Sequence, residues 1–376
     1  MGSSELLTHD EARKLVETYI EKGGDKIYST QEILNSGTIP RLNGYQVRPG
    51  KVSDCIFGGH GDYLDKKTGK DVEFANPSLE THKGIALRAM VRTQRISTHD
   101  INRGDIPFKD QILAANHNFM RKMLAPALGS SQFEIDGLEE SSIVIAAENL
   151  TQIRLENVIR NYMATSTTDT NMGKQYLEKG VRYFGGHHLP EGLTANCKLP
   201  YIMDTPSTKS DEHDETVDPQ FLFDNEICSP HQYTQIRNSG IFAFGMVARF
   251  LEERGIIAVD TKTEHGINSW GRIVVQDEIW NMDSSRFWLL DDYNEQLEKL
   301  KIGEIEKLDP KSYSKEFARG FSQGDKGYTD EQRVQIAVRY IEGIQHLLSK
   351  RFEPDMRSGE ERVIYGLERL VERLVA

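Results

Sequence analysis

Two stretches of this sequence, GIIAVDTKTEHG and RIVVQDEIW, joined by a turn at Asn268-Ser269-Trp270-Gly271, alternate as two antiparallel strands should. Period-two geometry places Asp260, Lys262 and Glu264 on one face of the first strand. With the turn centred between Ser269 and Trp270, Lys262 lies opposite Asp277 and Glu264 opposite Val275. Asp277 then shares the face of Lys262 and Glu264, and Glu278 points the other way. Two carboxylates and an ammonium gathered on a strand pair can form a Mg²⁺–phosphate site, in which hard oxygens hold the metal and the lysine meets phosphate charge. Hairpin geometry alone fits a solvated face of cross-strand ion pairs equally well.

Other segments carry compatible chemistry. VRPGKVSD puts Gly50 and Lys51 at a turn ahead of a strand, where glycine lets backbone N–H groups approach a phosphate, although this is no Walker A sequence. Arg160 in RNYMATS and Arg286 in DSSRFW stand beside small hydroxyl residues, Ser166 and Ser285 among them. A guanidinium with hydroxyl donors is the chemistry of phosphate-ester capture. TPSTKSDEHDE is a dense polar segment with Lys209 and Asp214, which composition alone reads as a solvated connection.

The elements that must position these residues are partly visible. Thr8 with Glu11 and Ser29 with Glu32 match capping boxes and open two short helices stopped at Gly23-Gly24 and Gly37. YQVRPGKVSDCIF and GIALRAMVRTQRIS read as a hairpin with a long insertion, and Ile112 to Leu124 as a packing helix. SSIVIAAE and RLENVIRNYMA read as strands, followed by a polar loop to about Pro219 and a helix from about Gln232 to Gly255. Helices over about 330–350 and 358–375 close the chain.

The 376 residues, 38% hydrophobic and 28% charged, belong to a folded globular protein with no run approaching the roughly 20 apolar residues of a membrane span. The N-terminus lacks the order of a signal peptide, which makes the cytoplasm the expected location. Cys55, Cys197 and Cys228 are scattered, so neither a disulfide framework nor a zinc site is indicated. A formal charge of −12 argues against nucleic acid as a partner, while a small anionic substrate needs only a few local cations. Oligomeric state is left open, a homo-oligomer included.

Read in order, GKVSD, RISTHD, IPFKDQIL, VIRNYMATS, TPSTKSDEHDE, VDTKTEHG, VVQDE and DSSRFW resemble the SAICAR synthetase family, the phosphoribosylaminoimidazole-succinocarboxamide synthases, from about Gly50 to Trp288. The resemblance implies a two-lobed α+β fold like that of ATP-grasp enzymes, with antiparallel sheets and flanking helices. Its parts would be a helical extension over 1–40, a nucleotide-binding lobe over 41–145 with an insertion at about 58–83, a substrate- and metal-binding lobe over 146–356 and a final helix over 357–376. The implied reaction uses Mg²⁺ and ATP to join the carboxylate of carboxyaminoimidazole ribonucleotide (CAIR) to the amine of L-aspartate, in purine biosynthesis. Under it Lys51 and Lys262 meet ATP phosphates, and Glu264 and Asp277 hold Mg²⁺. Arg160, Ser166 and Arg286 take the ribonucleotide phosphate, with Asp283 near its ribose or base and Ser285 among the substrate-binding residues. Arg95, Ser97 and Asp100 line the region where ribonucleotide and aspartate meet, and Lys209 and Asp214 belong to a loop closing over the site. Lys262, Arg95, Lys209 and Asp214 are the residues it assigns to catalysis.

The chain departs from the family where Ser53 replaces a basic residue, Gln94 an acid, Asp110, Asn161 and Thr165 glycines, and Thr263 and His265 phenylalanines. These departures keep two alternatives in view: a paralogue ligating another amine or heterocyclic carboxylate, and a non-catalytic nucleotide-binding protein.

Overall fold

The computed structural model describes residues 5–372, except 66–69, 82, 100, 135–141, 167 and 210–213. Helix α1 (His9–Glu21) opens on a reciprocal capping box between Thr8 and Glu11. Helix α2 (Thr30–Asn35) opens at Ser29, whose hydroxyl accepts from the Glu32 N–H. Then come β1 (Arg48–Pro49), β2 (Ser53–Phe57), the hairpin β3 (Gly59–Asp65) and β4 (Lys70–Asn76), β5 (Leu87–Arg92), and a second hairpin of β6 (Arg95–Thr98) and β7 (Ile101–Asp105). Helix α3 (Lys109–Met123) precedes β8 (Gln132–Phe133) and β9 (Val144–Glu148). The first sheet has the order β1-β2-β5-β9-β8 and is antiparallel throughout. Strands β3 and β4, within the segment expected to be an insertion, form a two-stranded sheet of their own.

The rest of the chain builds a second antiparallel sheet. It contains β10 (Thr151–Tyr162), α4 (Met172–Lys179), the hairpin β11 (Tyr183–Phe184) and β12 (His187–His188), β13 (Lys198–Asp204), β14 (Ser207–Thr208), α5 (Pro219–Asp224) and α6 (Pro230–Glu252). There follow β15 (Ile256–Ile267), β16 (Ile273–Val275), β17 (Ser285–Leu289), α7 (Leu290–Lys301), β18 (Ser312–Tyr313), α8 (Glu316–Arg319), α9 (Asp330–Leu348) and α10 (Gly359–Val371). The order is β13-β10-β15-β17-β18, with β14 beside β10 and β16 beside β15. The polar loop expected before Pro219 is instead α4 and four short strands. Its scattered Met163, Met172, Tyr176, Phe184, Leu189, Leu199 and Met203 close into a satellite core that no single periodicity announces. Among the described residues no helix is long and apolar enough to cross a membrane.

Two cores hold the layers together, and the terminal helices take part in both. Helix α1 joins α3, α6 and α9 through Val16, Tyr19, Ile112, Phe244 and Ile341. Helices α2 and α10 cover the first sheet through Leu34, Ile56, Val91, Val363 and Leu367. A buried polar knot ties these groups: Arg362 of α10 donates to Asp110 at 2.7 Å and to the Tyr19 hydroxyl at 2.8 Å, and Gln94 donates to the same hydroxyl at 2.8 Å. Gln94 and Asp110, two departures from the family pattern, are therefore the partners of helices lying outside the resemblance.

Removing one member of a buried ion pair leaves the other charged and unsolvated. Asp110→Ala is expected to lower the unfolding free energy by about 3–5 kcal/mol. The double variant Asp110→Ala/Arg362→Met should lose markedly less, a comparison that urea melts of the three proteins can make.

Candidate active site

The pairing of β10 with β15 sets Arg160 opposite Asp260, Val158 opposite Lys262 and Glu156 opposite Glu264, while β17 sets Arg286 opposite Asp260. Cross-strand partners share a face, so these charges form one strip across three strands. At one end Asp260 accepts from Arg286 Nε at 3.0 Å and from Arg160 Nη1 at 3.4 Å. Arg160 Nε also donates to Thr205 Oγ1 at 2.9 Å, and Arg286 Nη1 to the Thr165 carbonyl at 3.1 Å. Ser166 lies beside them, donating to Glu316 of α8 at 3.0 Å. Ser285 is not brought to this face. It alternates with Arg286 along β17, is buried, and bonds to Thr261 at 2.8 Å on the other side.

At the other end Glu156 accepts from Lys262 at 2.6 Å and from Lys209 at 3.0 Å, and Lys209 also donates to Glu264 at 2.7 Å. Burial alone would raise the Glu156 pKa, but the two ammonium groups outweigh it and hold the carboxyl down at about 2. Glu264 moves upward, because burial and then the Asp277 charge disfavour its ionised form more than Lys209 and Lys262 favour it. Glu156 was not among the residues the sequence singled out. Its signal was the alternation of Glu156, Val158 and Arg160, which needs the β15 pairing to gain meaning.

The hairpin register differs from the expected one by a single residue. His265 pairs with Val275 and Ile267 with Ile273, around a loop from Asn268 to Arg272. Asn268 Oδ1 accepts from the N–H groups of Trp270 and Arg272 at 3.1 and 2.9 Å, which stabilises this odd-numbered loop in place of the even one assumed. Glu264 therefore faces Gln276, whose N–H donates to the Glu264 carbonyl at 3.1 Å, and not Val275. Strand β16 ends at Val275, so Asp277 lies beyond the ladder and reaches the neighbourhood of Glu264 from an exposed bend. Glu278 is buried and paired with Arg92 of the first sheet.

The remaining candidates belong to other parts of the chain. Asp283 forms an ion pair with Lys109 at 2.9 Å and accepts from Tyr340 at 2.5 Å, with Lys315 at 3.6 Å. Burial would raise its pKa, yet Lys109, Lys315 and Tyr340 hold it well below the usual carboxylate range. Burial also pushes Lys315 down to about 8, with Asp283 opposing and Lys262 among the repelling charges. Arg95 belongs to the first lobe, where it donates to the Gly50 carbonyl at 3.0 Å and pairs with Asp54. Ser97 follows on the same hairpin, opposite Asn102. Lys51 is exposed on the Gly50 turn, where a Cβ at Gly50 would meet the Ser53 carbonyl at 2.4 Å. Lys209 and Asp214 flank residues 210–213, which lie outside the described residues, and a 2.9 Å bond runs from the Thr208 N–H to the Glu215 carbonyl. Asp100 lies outside the described residues.

Comparison with known proteins adds to this geometry. The family described as SAICAR synthetase matches residues 80–333. The chloroplastic phosphoribosylaminoimidazole-succinocarboxamide synthase of Arabidopsis thaliana is 32% identical over 265 residues, covering 67% of this chain and 60% of that protein. The Cytophaga hutchinsonii synthase is 34% identical over 292 residues, covering 74% of this chain and 88% of that protein. Among solved structures, the SAICAR synthase of Saccharomyces cerevisiae complexed with SAICAR aligns with a TM-score of 0.62 at 22% identity, over 83% of this chain and 98% of that one. A SAICAR synthetase in complex with ADP aligns at 0.55 and 20%, over 82% and 100%. These two structures share the fold of this chain.

The depressed pKa of Glu156 links the strip to stability. A carboxylate with a lowered folded-state pKa contributes stability above its unfolded value, 4.5, and loses it as the pH falls towards about 2. Glu156→Gln should cost about 3 kcal/mol at pH 7. The gap between variant and parent should close between pH 4.5 and 2, as denaturant melts across that range would show.

Proposed function

Since this chain belongs to the SAICAR synthetase family, we propose that it is an ATP-dependent ligase that joins CAIR to L-aspartate, releasing SAICAR, ADP and phosphate in purine biosynthesis. The observation that carries the reading is the charged strip: a guanidinium pair at one end and a lysine–carboxylate cluster at the other, on the same face of one sheet. A phosphorylated substrate held at the first end can present a second group at the other.

The chemistry needs both ends. A carboxylate is a poor acyl donor because its leaving group would be oxide. Attack of the CAIR carboxylate on the γ-phosphorus of ATP makes an acyl phosphate and frees ADP. The neutral amine of aspartate then attacks the acyl carbon, the C–O bond to phosphate breaks, and the amine proton is lost to give the amide. No protein nucleophile is required.

Each group has a task in this reading. Arg160 and Arg286 grip the ribonucleotide phosphate with the N–H groups that Asp260 leaves over, and Asp260 fixes the angle between the two forks. Ser166 adds a hydroxyl there. Asp283, kept ionised by Lys109 and Lys315, accepts from the ribose or base. Lys209 and Lys262 both have raised pKa values through Glu156 and Glu264, so both carry positive charge to the transferring phosphoryl group at neutral pH. Lys51 meets the ATP phosphates from the Gly50 turn, while Arg95 and Ser97 line the meeting point of the substrates. Asp214 closes over them with the loop that carries Lys209.

Glu264 and Asp277 suit a divalent cation, since both offer hard oxygens and their mutual repulsion raises the Glu264 pKa. Mg²⁺ held by these two carboxylates would offset charge on the transferring phosphoryl group. Among the described residues no cluster of three or more metal-binding side chains occurs.

Four of the seven departures from the family pattern lie away from the substrate-facing strip. Thr263 and His265 alternate with Lys262 and Glu264 and are buried on the far side of the sheet. Gln94 and Asp110 engage the terminal helices. None of these four changes the substrate-facing strip.

Purified protein supplied with Mg-ATP, CAIR and L-aspartate should yield the succinocarboxamide, with ADP and phosphate in equal amounts, by mass spectrometry and nucleotide analysis. Absence of product where a reference synthetase works would reject the reading. Arg286→Lys, which keeps charge and loses the planar fork, should raise KM for CAIR about tenfold or more and leave KM for ATP nearly unchanged. An equal loss for both ligands would remove Arg286 from the phosphate pocket.

A further inference from the structure

The N-terminal helical segment lies outside the family match, yet one of its side chains is joined to Arg95 through a single carboxylate. We propose that Thr30 is a positioning residue for Arg95, acting through Asp54. Thr30 Oγ1 donates to Asp54 Oδ2 at 2.7 Å, and Asp54 Oδ1 accepts from Arg95 Nη2. The same Nη2 donates to the Gly50 carbonyl at 3.0 Å. The arginine head is thus held between a carboxylate and the turn that carries Lys51.

Burial makes this relay specific. Thr30 is 2% exposed and Asp54 5% exposed, so no bulk water competes for the carboxylate. Arg95 satisfies one oxygen and Thr30 the other, which fixes the plane of the carboxylate and with it the approach of the guanidinium. Helix α2 cannot drift, because Ile33 and Leu34 pack into the core formed by Ile56, Leu87, Val363 and Leu367. Behind it, the Tyr28 hydroxyl donates to the Arg92 carbonyl at 3.4 Å, in the strand that leads into Arg95. A segment outside the family match therefore sets the orientation of a side chain to which the proposed function gives a substrate role. This inference rests on the assignment of Arg95 in the proposed function.

The test uses the full chain and steady-state kinetics for all three substrates, with melting temperature as the control. Thr30→Val should lower kcat about tenfold while KM for ATP stays within about twofold, the scale of effect of a misplaced catalytic group. Thr30→Ala, which removes the same hydroxyl without the added methyl, should do the same, and Thr30→Ser should restore kcat to within about twofold of the parent. In an Arg95→Lys background Thr30→Val should add little further loss, because the group it positions is already altered. Losses that multiply in the double variant, a failure of Thr30→Ser to rescue, or losses that simply track melting temperature would each overturn the inference. Should Arg95→Lys itself retain full activity, the assignment of Arg95 falls and the inference with it. An impaired Arg95→Lys beside fully active Thr30→Val and Thr30→Ala rejects the inference alone.

Discussion

The register between β10 and β15 is the constraint on which the rest of the site depends. It places Arg160 beside Asp260, and sets Glu156 beside the like-charged Glu264, where Lys209 donates to both carboxylates. Each acidic centre is shared by two cations: Asp260 by Arg160 and Arg286, and Glu156 by Lys209 and Lys262. A slip of one residue would turn every one of the β15 charges towards α6. Bare cations at this density would repel each other and destabilise the sheet. The interleaved carboxylates remove that repulsion and leave donor N–H groups over for an anionic ligand.

The far side of the same strands explains why the register is held. Helix α6 lies so close that a Cβ at Gly240 would meet Asn157 Nδ2 at 2.3 Å, so a larger residue there would have to displace the Asn157 side chain. Asn157, Thr263 and His265 are buried behind the strip, and burial pushes the His265 imidazole down to about 4, which keeps it neutral. A neutral ring can occupy a site that phenylalanine fills in relatives without adding charge behind Lys262. The substitution changes the polarity of the packing layer and leaves the electrostatics of the substrate face to Glu156, Lys209, Lys262 and Glu264.

Much of this was legible in the sequence where one element suffices to define it. Helix caps at Thr8 and Ser29, the β15–β16 hairpin and the alternation of Asp260, Lys262 and Glu264 are local patterns, and the structure contains each of them. The turn was read as even because Asn268-Ser269-Trp270-Gly271 looks like a tight connection. The Asn268 side chain instead organises a longer loop, which shifts the pairing by one. Glu156 and the Lys109–Asp283 pair were illegible for a different reason, since each needs a neighbour distant in the chain to become a site group. Ser285 shows the converse case: proximity to Arg286 in sequence suggested a shared role, and strand alternation separates them.

The start of α3 shows why the terminal helices and the site are hard to consider apart. Lys109 is fully buried and paired with Asp283, while the next residue, Asp110, is paired with Arg362 of α10. Adjacent residues in the first turn of one helix thus hold opposite charges towards opposite partners. Phe108 precedes them with φ at +63° and provides no side-chain cap, so the helix start is fixed by these two ion pairs and by packing rather than by capping. Buried ion pairs add little net stability because desolvation offsets their attraction, but they tolerate few alternative geometries. Arg362 therefore orients α3 from one side and Asp283 from the other. The C-terminal helix, although it contributes no side chain to the charged strip, sets the position from which Lys109 keeps Asp283 ionised.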